Sequence, residues 1–208
     1  MYLVKTPDIV QALWPNFLWR IPTKERILYL TFDDGPIPEV TPWALNVLKA
    51  FDAKATFFCV GENVLRYPAI YERIVAEGHS TGNHTYNHLN GWKTSTIDYL
   101  KNVRRCAQLV QSDLFRPPYG RLSPCQRASL ERSYTIVLWD VLSGDFDRHA
   151  DAKRCLDNIL KNATSGSIIV LHDNVKTEAK LRFLLPELLR HFTQEGYRFE
   201  GLKNRLQP

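Results

Sequence analysis

Two adjacent aspartates, Asp33-Asp34, stand where an apolar run ends, and two histidines spaced by three residues follow further along as His84-Thr-Tyr-Asn-His88. One carboxylate and two imidazoles form a mixed oxygen and nitrogen ligand set of the kind zinc and its neighbours accept. Three facial ligands leave positions open for water and substrate, which suits catalysis better than a closed structural site. Asp34, His84 and His88 are therefore the candidate ligands. The histidine spacing predicts a helical turn presenting both rings on one side. Successive residues of an extended segment point to opposite sides, so Asp33 and Asp34 are expected to divide the work, one ligating and the other handling a proton. An Asp-Asp-Gly-Pro stretch is also an ordinary turn sequence. What raises it above that is a separate histidine pair able to share one ion with it.

Two further clusters carry chemistry. Arg116-Pro117-Pro118-Tyr119-Gly120 ends a short apolar run with a permanent cation on a proline-stiffened loop. A guanidinium set against a carboxylate keeps it ionised and ready to accept a proton. Ile168-Ile169-Val170-Leu171-His172-Asp173 delivers a histidine at the end of a buried run. By the period of two, Val170 shares a side with His172 and is expected to line the pocket into which that ring points.

Such groups need a scaffold that gathers them. Short apolar runs alternate with longer amphipathic stretches almost to the end of the chain, which is a β/α plan. Strands are expected at Ile27 to Phe32, Ala55 to Val60, His79 to Asn83, Leu114 to Arg116, Thr135 to Trp139, Ser167 to His172 and Tyr197 to Phe199. Helices are expected near Thr41 to Phe51, from Pro68 to Gly78, and over Thr96 to Gln111, Ser123 to Arg132, Asp151 to Asn162 and Glu178 to Glu195. Seven strands with crossover helices either close into a barrel or stay an open doubly wound sheet, and periodicity does not separate the two. Asp33-Asp34, His84, Arg116, Asp145 and His172 all fall at or just past the C-terminal ends of these strands. That rim is where parallel β/α folds bind ligands.

The chain has 208 residues, 44% hydrophobic and 24% charged, which bounds it to one globular domain with a sizeable core. Its net charge of +5 comes from lysines and arginines scattered among acids. No dense basic block is interleaved with aromatics, and no nucleic-acid partner is expected. The four cysteines, Cys59, Cys106, Cys125 and Cys155, lie far apart and read as free thiols or small core residues. No signal-peptide pattern and no window apolar enough for a transmembrane segment is visible, so the default expectation is cytoplasmic, with cell-envelope association as the alternative. The aromatic stretch Leu13 to Trp19 is expected to cover an open edge of the core.

Thr31-Phe-Asp-Asp-Gly-Pro36, His84-Thr-Tyr-Asn-His88, Arg116-Pro-Pro-Tyr119, the segment around Asp145 and Leu171-His-Asp173 resemble, in order, the five motifs of the polysaccharide deacetylase family, also called the NodB-homology or carbohydrate esterase family 4 domain. The resemblance implies a single-domain α/β fold, a distorted (β/α) barrel with about seven parallel strands. Residues 1–26 would pack on the barrel as an N-terminal segment and 27–208 would form the deacetylase domain. It further implies Asp33 as general base oriented by Arg116, and Asp34, His84 and His88 as ligands of a divalent metal, zinc by preference, with cobalt or nickel as rivals. His172 would be the general acid, tuned by Asp145. The backbone N–H of Tyr119, on the loop with Pro118, would help hold the oxyanion, and Val170 and Phe146 would form an apolar slot for the acetyl methyl. The implied substrate is an N-acetylated amino sugar in an oligo- or polysaccharide, and Trp92 is a candidate sugar-stacking wall. Another amide, a sugar O-acetyl ester, or a glycan-binding module without activity are the alternatives. The fourth motif departs from the family's Asp-x-x-Asp-Trp: this chain reads Leu142-Ser-Gly-Asp145-Phe146, which leaves Asp140 and Asp147 as rivals of Asp145 and points to an altered acyl pocket.

Overall fold

Ile27–Asp33 (β1) is buried along its whole length because it sits in the middle of a sheet with both faces covered. In the computed structural model, which describes residues 2–203, it is joined by Ala55–Cys59 (β2), Ser80–Asn83 (β3), Leu114–Phe115 (β4), Thr135–Ile136 (β5), Val141–Leu142 (β6), Ile168–His172 (β7) and Arg198–Phe199 (β8). Seven strands run in the order β5-β4-β3-β2-β1-β7-β6, every pair parallel, and curl into a half-barrel; β8 pairs only with the start of β1.

The period of two sorts the side chains of β1. Leu28, Leu30 and Phe32 face the outer core, where they pack with Leu45 and Leu48 of Val40–Ala50 (α2, after a first short helix α1, Asp8–Leu13) and with Leu181, Leu184, Leu185 and Leu188 of the long C-terminal helix Glu178–Gln194. Ile27 and Tyr29 face the barrel interior with Phe58, Leu114, Val137 and Ile168. Thr31 and Asp33 continue that inward row, so the strand is polar only where it reaches the rim. The remaining helices are Gly61–Arg66 (α3), Pro68–Ala76 (α4), Thr96–Ala107 (α5), Pro124–Leu130 (α6) and Ala152–Asn162 (α7), which makes the C-terminal helix α8. Helix α6 begins with a full capping box, Ser123 accepting from the Gln126 N–H and the Gln126 side chain from the Ser123 N–H.

The expected strand Thr135 to Trp139 is interrupted. Pairing stops after Ile136 on one edge of the sheet and resumes at Val141 on the other, and residues 137–140 cross the opening between them. The N-terminal segment fills that opening. Leu18 accepts from the Leu138 N–H and donates its own N–H to the Ile136 carbonyl, each at 2.9 Å; Thr6 donates to Asp140 (2.9 Å); Leu142 donates to Val4 (2.8 Å); Ile21 donates to Gly166 (2.8 Å). These bonds satisfy backbone groups that an open edge would leave bare. The buried Asp140 carboxylate locks the arrangement, taking Lys5 Nζ at 2.7 Å, Ser167 Oγ at 2.5 Å and Gln11 Nε2 at 3.2 Å. A carboxylate in that position is tolerated only because it is paired and fully hydrogen-bonded.

All four cysteines are unpaired, Cys125 exposed and the others buried. Among the described residues no helix is long and apolar enough to cross a membrane.

Candidate active site

Asp33 is the last residue of β1 and lies in register with His172, the last residue of the adjacent β7. Neighbours in register on parallel strands present their side chains to the same side, so the carboxylate and the imidazole stand next to each other on the inward face. Arg116, just past β4, reaches them from across the barrel. Its guanidinium is fully buried and donates to Asp33 Oδ1 (2.7 Å), Thr31 Oγ1 (2.7 Å), the Leu138 carbonyl (3.0 Å) and the Val137 carbonyl (3.3 Å). It also lies 4.2 Å over the Phe58 ring. Gly82 makes room for that ring, because a Cβ there would collide with it. Burial pulls the Arg116 pKa down and Asp33 pulls it back up; with four acceptors around it the cation stays charged and fixed.

Asp34 turns away from its neighbour by adopting φ 85°, a left-handed conformation. This sends its carboxylate over the rim. Oδ2 accepts from Asn174 Nδ2 at 2.6 Å and its backbone carbonyl from Asn63 Nδ2 at 2.8 Å. Oδ1 is buried and accepts no hydrogen bond among the described residues, yet His88 Nε2 lies 3.1 Å and His84 Nε2 3.7 Å from it. An orphaned carboxylate oxygen facing two imidazole nitrogens is the pattern of a cation site, and the three ligating atoms lie within 4.8 Å of one another. His84 Nδ1 lies 2.8 Å from the Arg116 carbonyl, which can only accept, so Nδ1 carries the proton and Nε2 keeps its lone pair. Burial lowers the His84 pKa to about 4, which keeps the ring neutral as a ligand must be. Burial by itself would raise the Asp34 pKa, but His88 against it, with His172 and His84 nearby, holds it well below the usual carboxylate range. The donor set therefore fits a divalent cation.

The two histidines do not share a helical turn. Thr85 (φ 64°) and His88 (φ 56°) are left-handed, which no α-helix permits. The loop is instead held by side chains. Asn83 Oδ1 accepts from the Thr85 N–H, Asn102 Oδ1 from the N–H groups of Tyr86 and Asn87, and Thr85 Oγ1 from the Leu89 N–H. The Thr85 and Tyr86 carbonyls in turn accept from Gly61 and Glu62 at the start of α3.

On the other side of Asp33, His172 Nδ1 lies 2.7 Å from Asp145 Oδ1, and Asp145 Oδ2 accepts the His172 backbone N–H at 2.8 Å. Burial disfavours the imidazolium, but Asp145, then Asp34 and Asp33, outweigh it and raise the His172 pKa to about 10. Of the three acids in this region Asp145 touches His172; Asp140 is taken up by Lys5 and Ser167, and Asp147 turns to the His149 N–H (2.9 Å). The Phe146 ring stands edge-on to His172, centroids 5.6 Å apart, and is half exposed. Val170 is buried two residues before His172 on the inward side of β7. Tyr119 follows the buried Pro118 with φ 62°, and its ring meets His88 edge-on at 4.8 Å. Trp92 is 67% exposed but anchored, its Nε1 donating to the Leu122 carbonyl (3.1 Å) with the Arg121 guanidinium 4.9 Å from its ring. Gln126, fully buried, holds the loop beneath it through the Gly91 and Thr94 carbonyls.

Several supporting residues were not singled out from sequence. Asn174 and Asn63 orient Asp34. Asp173 accepts from the Gly35 N–H (3.1 Å) and Thr41 Oγ1 (2.6 Å), and a Cβ at position 35 would collide with its carboxylate. Burial, with Asp34 adding to it, pushes the Asp173 pKa up to about 8 despite the hydrogen bond from Thr41. Lys180 of α8 donates to the Asp145 carbonyl (2.9 Å) and to that of Asp147. Asp173 and Asn174 adjoin His172 in sequence, a signal that was available; Asn63 and Lys180 carry no local one.

The sequence model of the family described as polysaccharide deacetylase matches residues 20–133, a span holding the first three clusters but neither Asp145 nor His172. A peptidoglycan-N-acetylglucosamine deacetylase of Bacillus cereus is 35% identical over 188 residues, covering 87% of this chain and 88% of the relative. The peptidoglycan-N-acetylglucosamine deacetylase PgdA of Listeria monocytogenes is 33% identical over 202 residues, which is 94% of this chain but only 40% of the longer relative. Among solved structures, a peptidoglycan N-acetylglucosamine deacetylase in complex with 4-naphthalen-1-yl-N-oxidanyl-benzamide superposes with a TM-score of 0.82 at 31% identity, covering 95% of each chain.

Proposed function

The chain belongs to the polysaccharide deacetylase family, and from that premise we propose that it hydrolyses the N-acetyl group of N-acetylglucosamine units in a peptidoglycan-type glycan, using zinc. The reading is carried by one arrangement: Asp33 and His172 in register on adjacent strands, beside an Asp34 oxygen that faces two imidazole nitrogens. Two nitrogen donors and one carboxylate favour zinc, with cobalt and nickel next in line.

An amide is a poor electrophile with a poor leaving group, so its hydrolysis needs an activated water, a stabilised oxyanion and a proton for the departing amine. Asp34, His84 and His88 would hold a divalent cation, which when bound would supply Lewis-acid polarisation of the acyl carbonyl and ease deprotonation of water. Asp33, kept ionised and immobile by Arg116, accepts the proton of the attacking water. His172, protonated at neutral pH by virtue of Asp145, gives a proton to the amine nitrogen as the C–N bond breaks. The backbone N–H of Tyr119 is the donor assigned to the developing oxyanion; the bonds of its turn run from Gly120 to Pro117 and from Arg121 to Pro118 and do not use it. Val170 and Phe146 flank His172 and hold the acyl methyl.

This assignment fixes the sign of a pH effect. His172 works as an acid only while protonated, so kcat falls as pH rises through its pKa. Asp145→Asn removes the largest influence that raises this pKa, and the alkaline limb of the kcat profile should move to lower pH by more than about one unit. A cation at the neighbouring site offsets Asp34 but leaves the influence of Asp145 intact, so the direction holds in the loaded enzyme. An unmoved limb would remove His172 from the acid role.

Acetate and free amine should be released from peptidoglycan fragments and N-acetylglucosamine oligomers in the presence of zinc, with acetylxylan far slower. Trp92→Ala should raise KM by about tenfold on oligomers long enough to reach it, in line with a lost stacking contact of about 1–1.5 kcal/mol, and leave the shortest substrates unchanged. Turnover of acetylxylan alone would make the protein an O-acetyl esterase. Glycan binding without acetate release under any metal would make it a binding module.

A further inference from the structure

Phe146 flanks His172, is half exposed, and needs support on its far side to hold one position. That support comes from the opposite end of the sequence. The segment around Val4 pairs with β6, Leu142 donating to the Val4 carbonyl and Lys5 bridging Val141. This pairing carries the Tyr2 ring onto Phe146, centroids 5.0 Å apart and planes at 59°. Burial, with the Asp147 charge adding to it, raises the Tyr2 pKa, so the hydroxyl stays neutral. It also passes so close to Gly144 (φ 80°) that any side chain there would strike it. Position 144 thus requires glycine twice, for its backbone and for the tyrosine lying over it.

Tyr2, Phe146 and His172 therefore form a continuous row of rings, each edge or face supporting the next. From this packing we infer that Tyr2 is a positioning residue for the acyl pocket: it clamps Phe146 against His172 and so sets the length of acyl group the enzyme accepts. Without Tyr2 the Phe146 ring is free to swing into solvent, because its other ring contact is the single edge-on approach to His172. The pocket then loses the wall that Phe146 forms beside His172, where a longer acyl chain would extend. The inference rests on the deacetylase reading and deepens it.

The test compares N-acetyl, N-propionyl and N-butyryl glucosamine oligomers with the zinc-loaded enzyme. Tyr2→Ala should raise KM for the N-acetyl substrate several-fold while kcat stays within about twofold, and should narrow the preference for acetyl over butyryl by about tenfold, the range that one or two methylenes in a pocket command. Tyr2→Phe keeps the ring and should retain the preference, while Tyr2→Leu should fall between. Phe146→Ala should reproduce the Tyr2→Ala profile, and the double variant should be no worse than either single one, as for two residues acting as a unit. Should Tyr2→Ala fold poorly, the Phe and Leu variants carry the comparison. A uniform loss of kcat across the three acyl lengths, or a lower melting temperature with the preference intact, would reduce Tyr2 to a structural residue and overturn the inference. Absence of acyl release from every substrate by the unmodified enzyme would instead strike the deacetylase reading, and the pocket assignment with it.

Discussion

Asp33→Asn should lower kcat by about 10³-fold while the protein retains its metal, because a carboxamide fills the same space but cannot take up a proton. The separation of the two effects follows from the geometry. Asp33 points inward to Arg116, whereas Asp34 points over the rim to His84 and His88. The substitution also leaves the fully buried Arg116 without a counter-charge, although the amide oxygen can still accept from it. Breaking a buried ion pair costs about 3–5 kcal/mol, and retention of that hydrogen bond places this variant at the lower end. A drop in melting temperature of roughly 2–4 °C per kcal/mol is expected for a chain of this size. Metal content by elemental analysis, melting temperature and single-turnover rate together decide the matter. Loss of metal with turnover preserved would exchange the roles of the two aspartates.

His84→Ala should weaken metal binding by more than about 100-fold, since even residues that merely orient a ligand change affinity by about 10 to 100-fold. Activity should vanish at stoichiometric metal. In the unmodified protein chelation should abolish turnover and added zinc restore it. A binding readout is independent of catalysis: metal at 100 times its Kd stabilises a folded protein by about 2.7 kcal/mol, and this increment should disappear in His84→Ala. His88→Ala should lose the increment too, but with less disturbance of the apo protein. His88 is partly exposed, whereas His84 is buried and supplies the proton to the Arg116 carbonyl. An undiminished metal-dependent stabilisation in both variants would mean that the cation binds elsewhere.

Much of this site was legible before any coordinates because its chemistry sits on residue types that fix it. Asp33 and His172 end strands and Asp34, His84, Arg116 and Asp145 lie just past them, and a parallel sheet gathers strand ends on one rim whatever its exact curl. The parallel half-barrel was likewise legible from alternating apolar runs together with the five-motif resemblance. The local geometry was not. The three-residue spacing of His84 and His88 suggests a helical turn, but Asn83, Asn102 and Thr85 offer side-chain hydrogen bonds that stabilise a loop with two left-handed residues instead. The strand from Thr135 was misjudged because local β-propensity says nothing about which edge of a sheet a residue occupies. Val137, Leu138 and Trp139 are apolar for the different reason that they bridge two edges. Tyr2 had no signal at all, since its partner Phe146 is distant in sequence and only the docked segment brings them together.

That docked segment also constrains the order in which the molecule can assemble. Lys5 is bonded to Asp140, 135 residues away, and to the Asn162 carbonyl, 157 residues away, while β1 with β2 and β2 with β3 pair close in the chain. Residues 4–21 can therefore dock only once the chain has been made through Ser167. Closing so large a loop is among the slower steps available to a chain. The N-terminal segment accordingly docks late, as do the pairings of β1 with β7 and β8, and the acyl pocket is completed only once it has docked.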